Sequence, residues 1–122
     1  MSRLPSRITK LIEELEAQDP DALVAVFDAL GYYHYASANH QEILDYTADE
    51  LLKIHLSKIV DPAYHHRAFV LRTISVFYDR PIRFSSNLIT KAGHRVQVAG
   101  TLQHFRDPGD ERFFITFVRA EV

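Results

Sequence analysis

The sequence predicts an α+β domain: a five-stranded antiparallel sheet with helices over one face, preceded by an N-terminal amphipathic helix. Three observations carry this. From Ile82 onward, apolar and polar residues alternate in three segments separated by short turn-forming loops, the pattern of a meander. Two short β-rich segments flank Gly31 nearer the N-terminus. Capping signals and helical periodicity lie between them, with no internal repeat. Strands at both ends of the chain with helices between favour one sheet carrying the helices on it.

The elements follow in order. Over residues 5–18, Leu4, Ile8, Leu11, Ile12 and Leu15 recur at helical spacing, with Glu13, Glu14 and Glu16 opposite. Pro5 suits a first helical turn and Asp19-Pro20 stops the pattern, so residues 1–19 form a helical segment and residues 20–122 the main domain. Residues 23–28 read as a strand, but Leu23, Val26, Phe27 and Leu30 also fit a helical period, and a short apolar run does not decide between them. Ala29-Leu30-Gly31 is a turn signal, and Tyr32 to Ser37 is β-rich. Asn39 with Glu42, then Thr47 with Glu50, make two capping boxes eight residues apart, which predicts two short helices with Ile43, Leu44 and Tyr46 inward. His55 to Val60 is a further short turn. Asp61-Pro62 opens a longer helix with Phe69, Val70, Thr73, Ile74 and Phe77 at helical spacing, and Pro81 ends it.

Three strands follow. In 82–90, Ile82, Phe84, Ser86 and Leu88 share a face; in 94–105, Val96, Val98, Gly100 and Leu102 do. In 112–118 both faces are apolar: Phe114, Thr116 and Val118 point inward, Phe113, Ile115 and Phe117 outward. Lys91-Ala92-Gly93 and Arg106-Asp107-Pro108-Gly109-Asp110 are the hairpin loops.

Composition narrows the function classes. The 122 residues are 47% hydrophobic with 8 Phe and 6 Tyr, enough for one core. Cysteine is absent, which excludes disulfides, thiolate metal sites, cysteine nucleophiles and flavin–thiol adduct chemistry. Net charge is −2 and the basic residues are scattered, so no nucleic-acid partner and no membrane surface are expected. No apolar run approaches the roughly 20 residues of a membrane span. Met1 to Lys10 lacks the apolar core of a signal peptide, and a cytoplasmic location is expected.

The run from Phe27 to Ser37 resembles the opening hairpin of PAS domains, and Asn39 to Leu52 is similar to their "E-I-L-G-Y-T-x-E-E-L-L" segment, with Asp45 in place of the Gly. Ile59-Val60-Asp61-Pro62 resembles the family's entry to its long helix. Thr90-Lys91-Ala92-Gly93-His94 resembles its "K-D-G" hairpin with Ala92 for Asp, and Phe113 to Arg119 its closing strand. The likeness covers roughly residues 23–120 and implies that 23–28 is a strand. It also implies a signal-sensing or protein-interaction module, not an enzyme. Arg119-Ala120-Glu121-Val122 keeps the Arg of the family's "R-D-I-T" exit and loses the rest, and the resemblance implies either a sensor with a downstream signalling domain or protein as partner, or a stand-alone PAS protein.

The resemblance implies a cavity between sheet and helices. Alternation then assigns Ile82, Phe84, Val98, Gly100, Leu102 and Thr116 to its wall, against the ordinary alternative of a filled core. Gly100 in mid-strand marks close approach by a ligand or by backbone. Tyr64 to Arg72 is similar to the corresponding helix of haem-binding PAS oxygen sensors. That likeness implies His66 as an axial haem ligand and Arg72 as the matching arginine, with Phe69 between them, and makes haem a candidate cofactor. A solvated His66 is the preferred alternative. His65 and His66 point about 100° apart on a helix and do not share one ion; no zinc-like spacing occurs, and no metal is expected.

The uncovered Phe113, Ile115 and Phe117 row would be an exposed apolar patch. The Ile8, Leu11, Ile12 and Leu15 stripe matches it, and a homodimer through these two surfaces is expected, the alternative being a helix folded onto its own sheet. Two other function classes remain open. A small cone-shaped α+β isomerase or dehydratase needs a buried carboxylate or a His–Asp pair, which the apolar wall lacks; no catalytic residue is assigned. A dimerisation module with a filled core is the other.

Overall fold

A computed structural model of the chain describes residues 4–107, 109 and 111–121; the expected loop residues Pro108 and Asp110 lie outside them. Helix α1 (Ser6–Gln18) is followed by β1 (Leu23–Asp28), β2 (Tyr33–Ala36), α2 (His40–Leu44) and α3 (Ala48–Leu51). Two 3₁₀ turns, Leu56–Lys58 and Pro62–Tyr64, lead into α4 (His65–Ser75), and β3 (Ile82–Ile89), β4 (Arg95–Arg106) and β5 (Arg112–Ala120) complete the chain.

The five strands form one antiparallel sheet in the order β2-β1-β5-β4-β3. The first and last strands meet at its centre, Leu23 opposite Val118 and Asp28 opposite Phe113. This settles residues 23–28 as strand: with neighbours on both edges and cover on both faces, every residue from Leu23 to Phe27 is buried. That is also why the run carries no alternation.

Each sheet face carries its own core. One joins Leu23, Ala25 and Phe27 to Val98, Leu102, Phe114 and Val118, under Leu44, Leu51, Leu56 and Ile59. The other joins Val24, Val26, Phe113 and Ile115 to Ile8 and Ile12 of α1, flanked by Leu4, Leu11, Leu15 and Phe117. Thus α1 of the same chain covers the outward Phe113–Ile115–Phe117 row, and the Tyr35 hydroxyl fastens it by donating to Glu16 at 2.7 Å.

Local chemistry sets the connections. At the β1–β2 turn the Asp28 carboxylate accepts from the Leu30 and Tyr32 amides at 2.9 and 3.0 Å and from His34 Nε2 at 2.9 Å. Burial alone would raise this carboxyl, but those hydrogen bonds outweigh it and hold it low. The Thr47–Glu50 capping box forms as expected. The Asn39–Glu42 box does not. Asn39 is itself in a helical conformation, and its side chain donates to the Ala22 carbonyl at 2.7 Å and to that of Pro20 at 3.2 Å, tying the start of β1 to α2. The edge of β3 is partly dressed: Val60 bridges Leu88, the Asp61 amide donates to the Asn87 carbonyl at 2.9 Å, and Arg95 Nε reaches the Asp61 carboxylate at 2.8 Å.

Gly100 and Gly93 show two different demands for glycine. A Cβ on Gly100 would stand 2.0 Å from the Phe117 carbonyl oxygen and 2.6 Å from Val118 Cα, both backbone of the adjacent strand. The close approach expected there is therefore made by backbone. Gly93 has φ +91° with open space around it. Gly100→Ala is expected to cost at least ~3 kcal/mol, because strand backbone has to move, and Gly93→Ala about 1–2 kcal/mol, the left-handed penalty alone. Urea denaturation of both variants checks the order; equal losses would contradict it.

Candidate functional site

Leu56, Val60 and the Pro62–Ser75 segment face the sheet across a gap. A cavity of about 80 Å³ remains between them. Its floor comes from alternate residues of four strands: Leu23, Ala25 and Phe27, then Phe84 and Leu88, Val98 and Leu102, and Thr116 and Val118. Its roof is Leu56, Val60 and one face of the Pro62–Ser75 segment, where Tyr64, Ala68, Leu71 and Arg72 follow the i, i+4, i+7, i+8 rule. A second recess of about 430 Å³ involves Arg7, Tyr78, Asp79, His104 and Arg106 and lacks this apolar wall.

Of the residues assigned to the cavity from sequence, Arg72, Phe84, Val98, Leu102 and Thr116 line it. Ile82, Gly100, His66 and Phe69 do not. Ile82 is not part of the wall although its partner Leu102 is, and Gly100 has no side chain to present. Phe69 is 59% exposed and His66 is exposed too, because α4 turns Ala68, Leu71 and Arg72 to the sheet. The apolar positions Phe69, Ile74 and Phe77 therefore face solvent. Haem does not fit this arrangement: His66 lies outside the wall, and ligand sites for larger molecules run to roughly 300–1,000 Å³. Among the described residues no group of three or more metal-ligating side chains converges, and no helix is long and apolar enough to cross a membrane.

Sequence reasoning missed Leu23, Ala25, Phe27, Tyr33 and His40. The i, i+2, i+4 spacing of the first three is the signal that could have found them. His40 is buried; its Nδ1 lies 2.9 Å from the Ser37 carbonyl oxygen, which only accepts, so Nδ1 carries the proton and Nε2 is an acceptor. Burial holds the His40 imidazole below its ordinary value despite that bond. Tyr33 packs against Phe27 in a tilted pair, ring centroids 4.5 Å apart and planes at 56°, and burial raises its phenol. Among the described residues the Tyr33 hydroxyl, His40 Nε2 and the Arg72 guanidinium have no hydrogen-bond partner. Desolvation lowers Arg72 from its ordinary value, yet a guanidinium stays charged. No Asp or Glu lines the cavity, so this half-buried cation has no counter-charge in the wall.

No family model and no curated protein matches the chain. Solved structures do. A PAS domain from a two-component sensor histidine kinase superposes with TM-score 0.72 at 16% identity, covering 96% of this chain and 100% of that one. The PAS domain of an HTR-like protein from Haloarcula marismortui gives 0.68 at 19%, again covering 96% and 100%. Drosophila melanogaster Cycle PAS-B, solved with bound ethylene glycol, gives 0.74 at 9%, covering 81% and 99%. The chain has the PAS fold. The PAS order of strands places the first and last at the centre, and with it the gap beneath α4.

His40 makes the site sensitive to acid. Its folded-state value lies below the unfolded one, about 6.5, so as pH falls past that point the unfolded chain takes the proton first and stability declines. His104, also lowered by burial and by Arg112 and Arg106, acts in the same direction. Stability is expected to fall between pH 7 and pH 5, before the Asp28 carboxylate is reached. The His40 ring proton signals are expected to titrate below the ordinary histidine range; an NMR midpoint at or above that range contradicts the assignment.

Proposed function

We propose that this chain is a sensory PAS module that binds a small, largely apolar ligand in the cavity beneath α4 and does no chemistry on it. The observation that carries this is the cavity itself: about 80 Å³ with nearly continuous apolar walls and a few polar groups, Tyr33, His40 and Arg72 among them. An enzyme of similar size needs a paired acid and base at the reacting centre, and no carboxylate lines this cavity.

Strand geometry supplies the route by which occupancy is felt. On β1, Leu23 and Ala25 face the cavity while Val24 and Val26 face α1. On β5, Thr116 and Val118 face the cavity while Phe113 and Ile115 face α1. A ligand that shifts these strands moves the seat of α1, and a homodimer responds if it is built on that helix. Because Ile8 and Ile12 already sit on their own sheet, the dimer that preserves every contact exchanges α1 between two protomers.

The cavity reading is tested with 1-hexanol and amide NMR. Shifts are expected in β1, β3–β5 and α4, and Ala68→Phe, which fills the gap from the helix side, is expected to abolish them. Shifts that survive Ala68→Phe, or none in the wild type, would count against the reading. Light scattering of the full chain at several concentrations tests the dimer; a monomer at every concentration removes it.

A further inference from the structure

We propose that the ligand of this cavity is an organic monocarboxylate, its carboxylate held by Arg72 and its apolar body lying against Phe27, Phe84, Val98 and Leu102. The inference rests on the ligand-binding reading above and adds the chemical class.

Charge carries it first. The cavity wall holds two cations, Arg72 and Arg67, and no Asp or Glu. The whole segment from Pro62 to Tyr78 has no acidic residue. Arg67 is exposed and lies over the Tyr64 ring, 4.9 Å from its centroid, so it is occupied at the surface. Arg72 is half-buried on the inward stripe of α4, and no acceptor among the described residues meets it. A guanidinium presents a planar fork that matches a carboxylate with two parallel hydrogen bonds. An anion from outside is thus the missing partner.

The other walls fix what kind of anion. Leu23, Phe27, Leu71, Phe84, Val98 and Leu102 accept an apolar body. Of the two cations only Arg72 lies on the inward stripe, Arg67 being exposed over Tyr64, so a second negative charge held inside the cavity would be buried without a partner there, at a desolvation cost the site does not offset. This disfavours phosphate and dicarboxylates. A neutral alcohol of the same shape fills the void but leaves Arg72 unpaired; an amine adds a like charge. Tyr33 and His40 supply one donor and one acceptor, which suits a ligand with a further hydroxyl or keto oxygen on its body.

The test compares hexanoate, 1-hexanol, hexylamine and inorganic phosphate at pH 7 by amide NMR titration, on the wild type and on Arg72→Gln. Hexanoate is expected to bind at least tenfold more tightly than 1-hexanol, with no binding by hexylamine, and Arg72→Gln to remove that preference while keeping the alcohol. Equal affinities for hexanoate and hexanol, a preference that survives Arg72→Gln, or phosphate binding as tightly as hexanoate would each overturn the proposal. Hexanol binding without a carboxylate preference leaves the cavity reading standing and removes this one. Binding by neither removes both. Should Arg72→Gln not fold, Arg72→Lys keeps the charge and loses the fork; hexanoate affinity is then expected to drop several-fold with hexanol unchanged, and no drop overturns the proposal.

Discussion

Two strands, β1 and β5, are apolar on both faces, and the rest of the molecule answers to that. Leu23 to Phe27 and Phe113 to Ile115 are all buried, so both strands need a neighbour on each edge and a layer on each face. The edge condition puts them beside each other at the sheet centre and sends β2 and β3 to the outside. The face condition makes α1 indispensable. Without it, Val24, Val26, Phe113 and Ile115 would lie in water, at roughly 25 cal/mol for each Å² of apolar surface exposed. On its own a 13-residue helix is marginal. Its stripe and the sheet's outer row stabilise each other, and neither is a stable surface alone.

The same constraint explains what is legible in the sequence. Alternation marks strand faces because a half-buried strand cannot hide its period. The inward Phe84, Val98, Leu102 and Thr116 and the outward Phe113, Ile115 and Phe117 are therefore readable from residue order alone. Thr47 with Glu50 is readable because a capping box is a local bond between near neighbours. Asn39 misleads for the complementary reason. Its partners, Ala22 and Pro20, are 17 and 19 residues away, and a local rule does not see them.

Helix α4 shows where periodicity points the wrong way. Phe69, Ile74 and Phe77 form the apolar series of that segment, yet they face solvent, while Ala68, Leu71, Arg72 and Ser75 face the sheet. A helix that roofs a gap does not present its bulkiest side chains to it, because they would fill it. Six residues along a helix leave two side chains about 120° apart. His66 and Arg72 therefore do not both face the floor, and the structure turns Arg72 inward.

That choice leaves two local deficits in one place. A recess of about 80 Å³ lies there, beside a half-buried guanidinium that no acceptor among the described residues meets. Nearby, several polar groups are matched: Ser37 to Val24 and His40, Asp61 to Ala63 and Arg95, Asp28 to His34. Asn87 Oδ1 and His104 Nε2 are also buried without a partner among the described residues, so what sets Arg72 apart is its charge and its place on the inward stripe of α4 beside the recess. The proposed occupant, with an apolar body and a single negative charge, would answer both features at once. On the ligand-binding proposal, an occupant would stabilise the folded state over the unfolded one by mass action, and because β1 and β5 carry the floor on one face and the seat of α1 on the other, that stabilisation would reach the helix through these two strands.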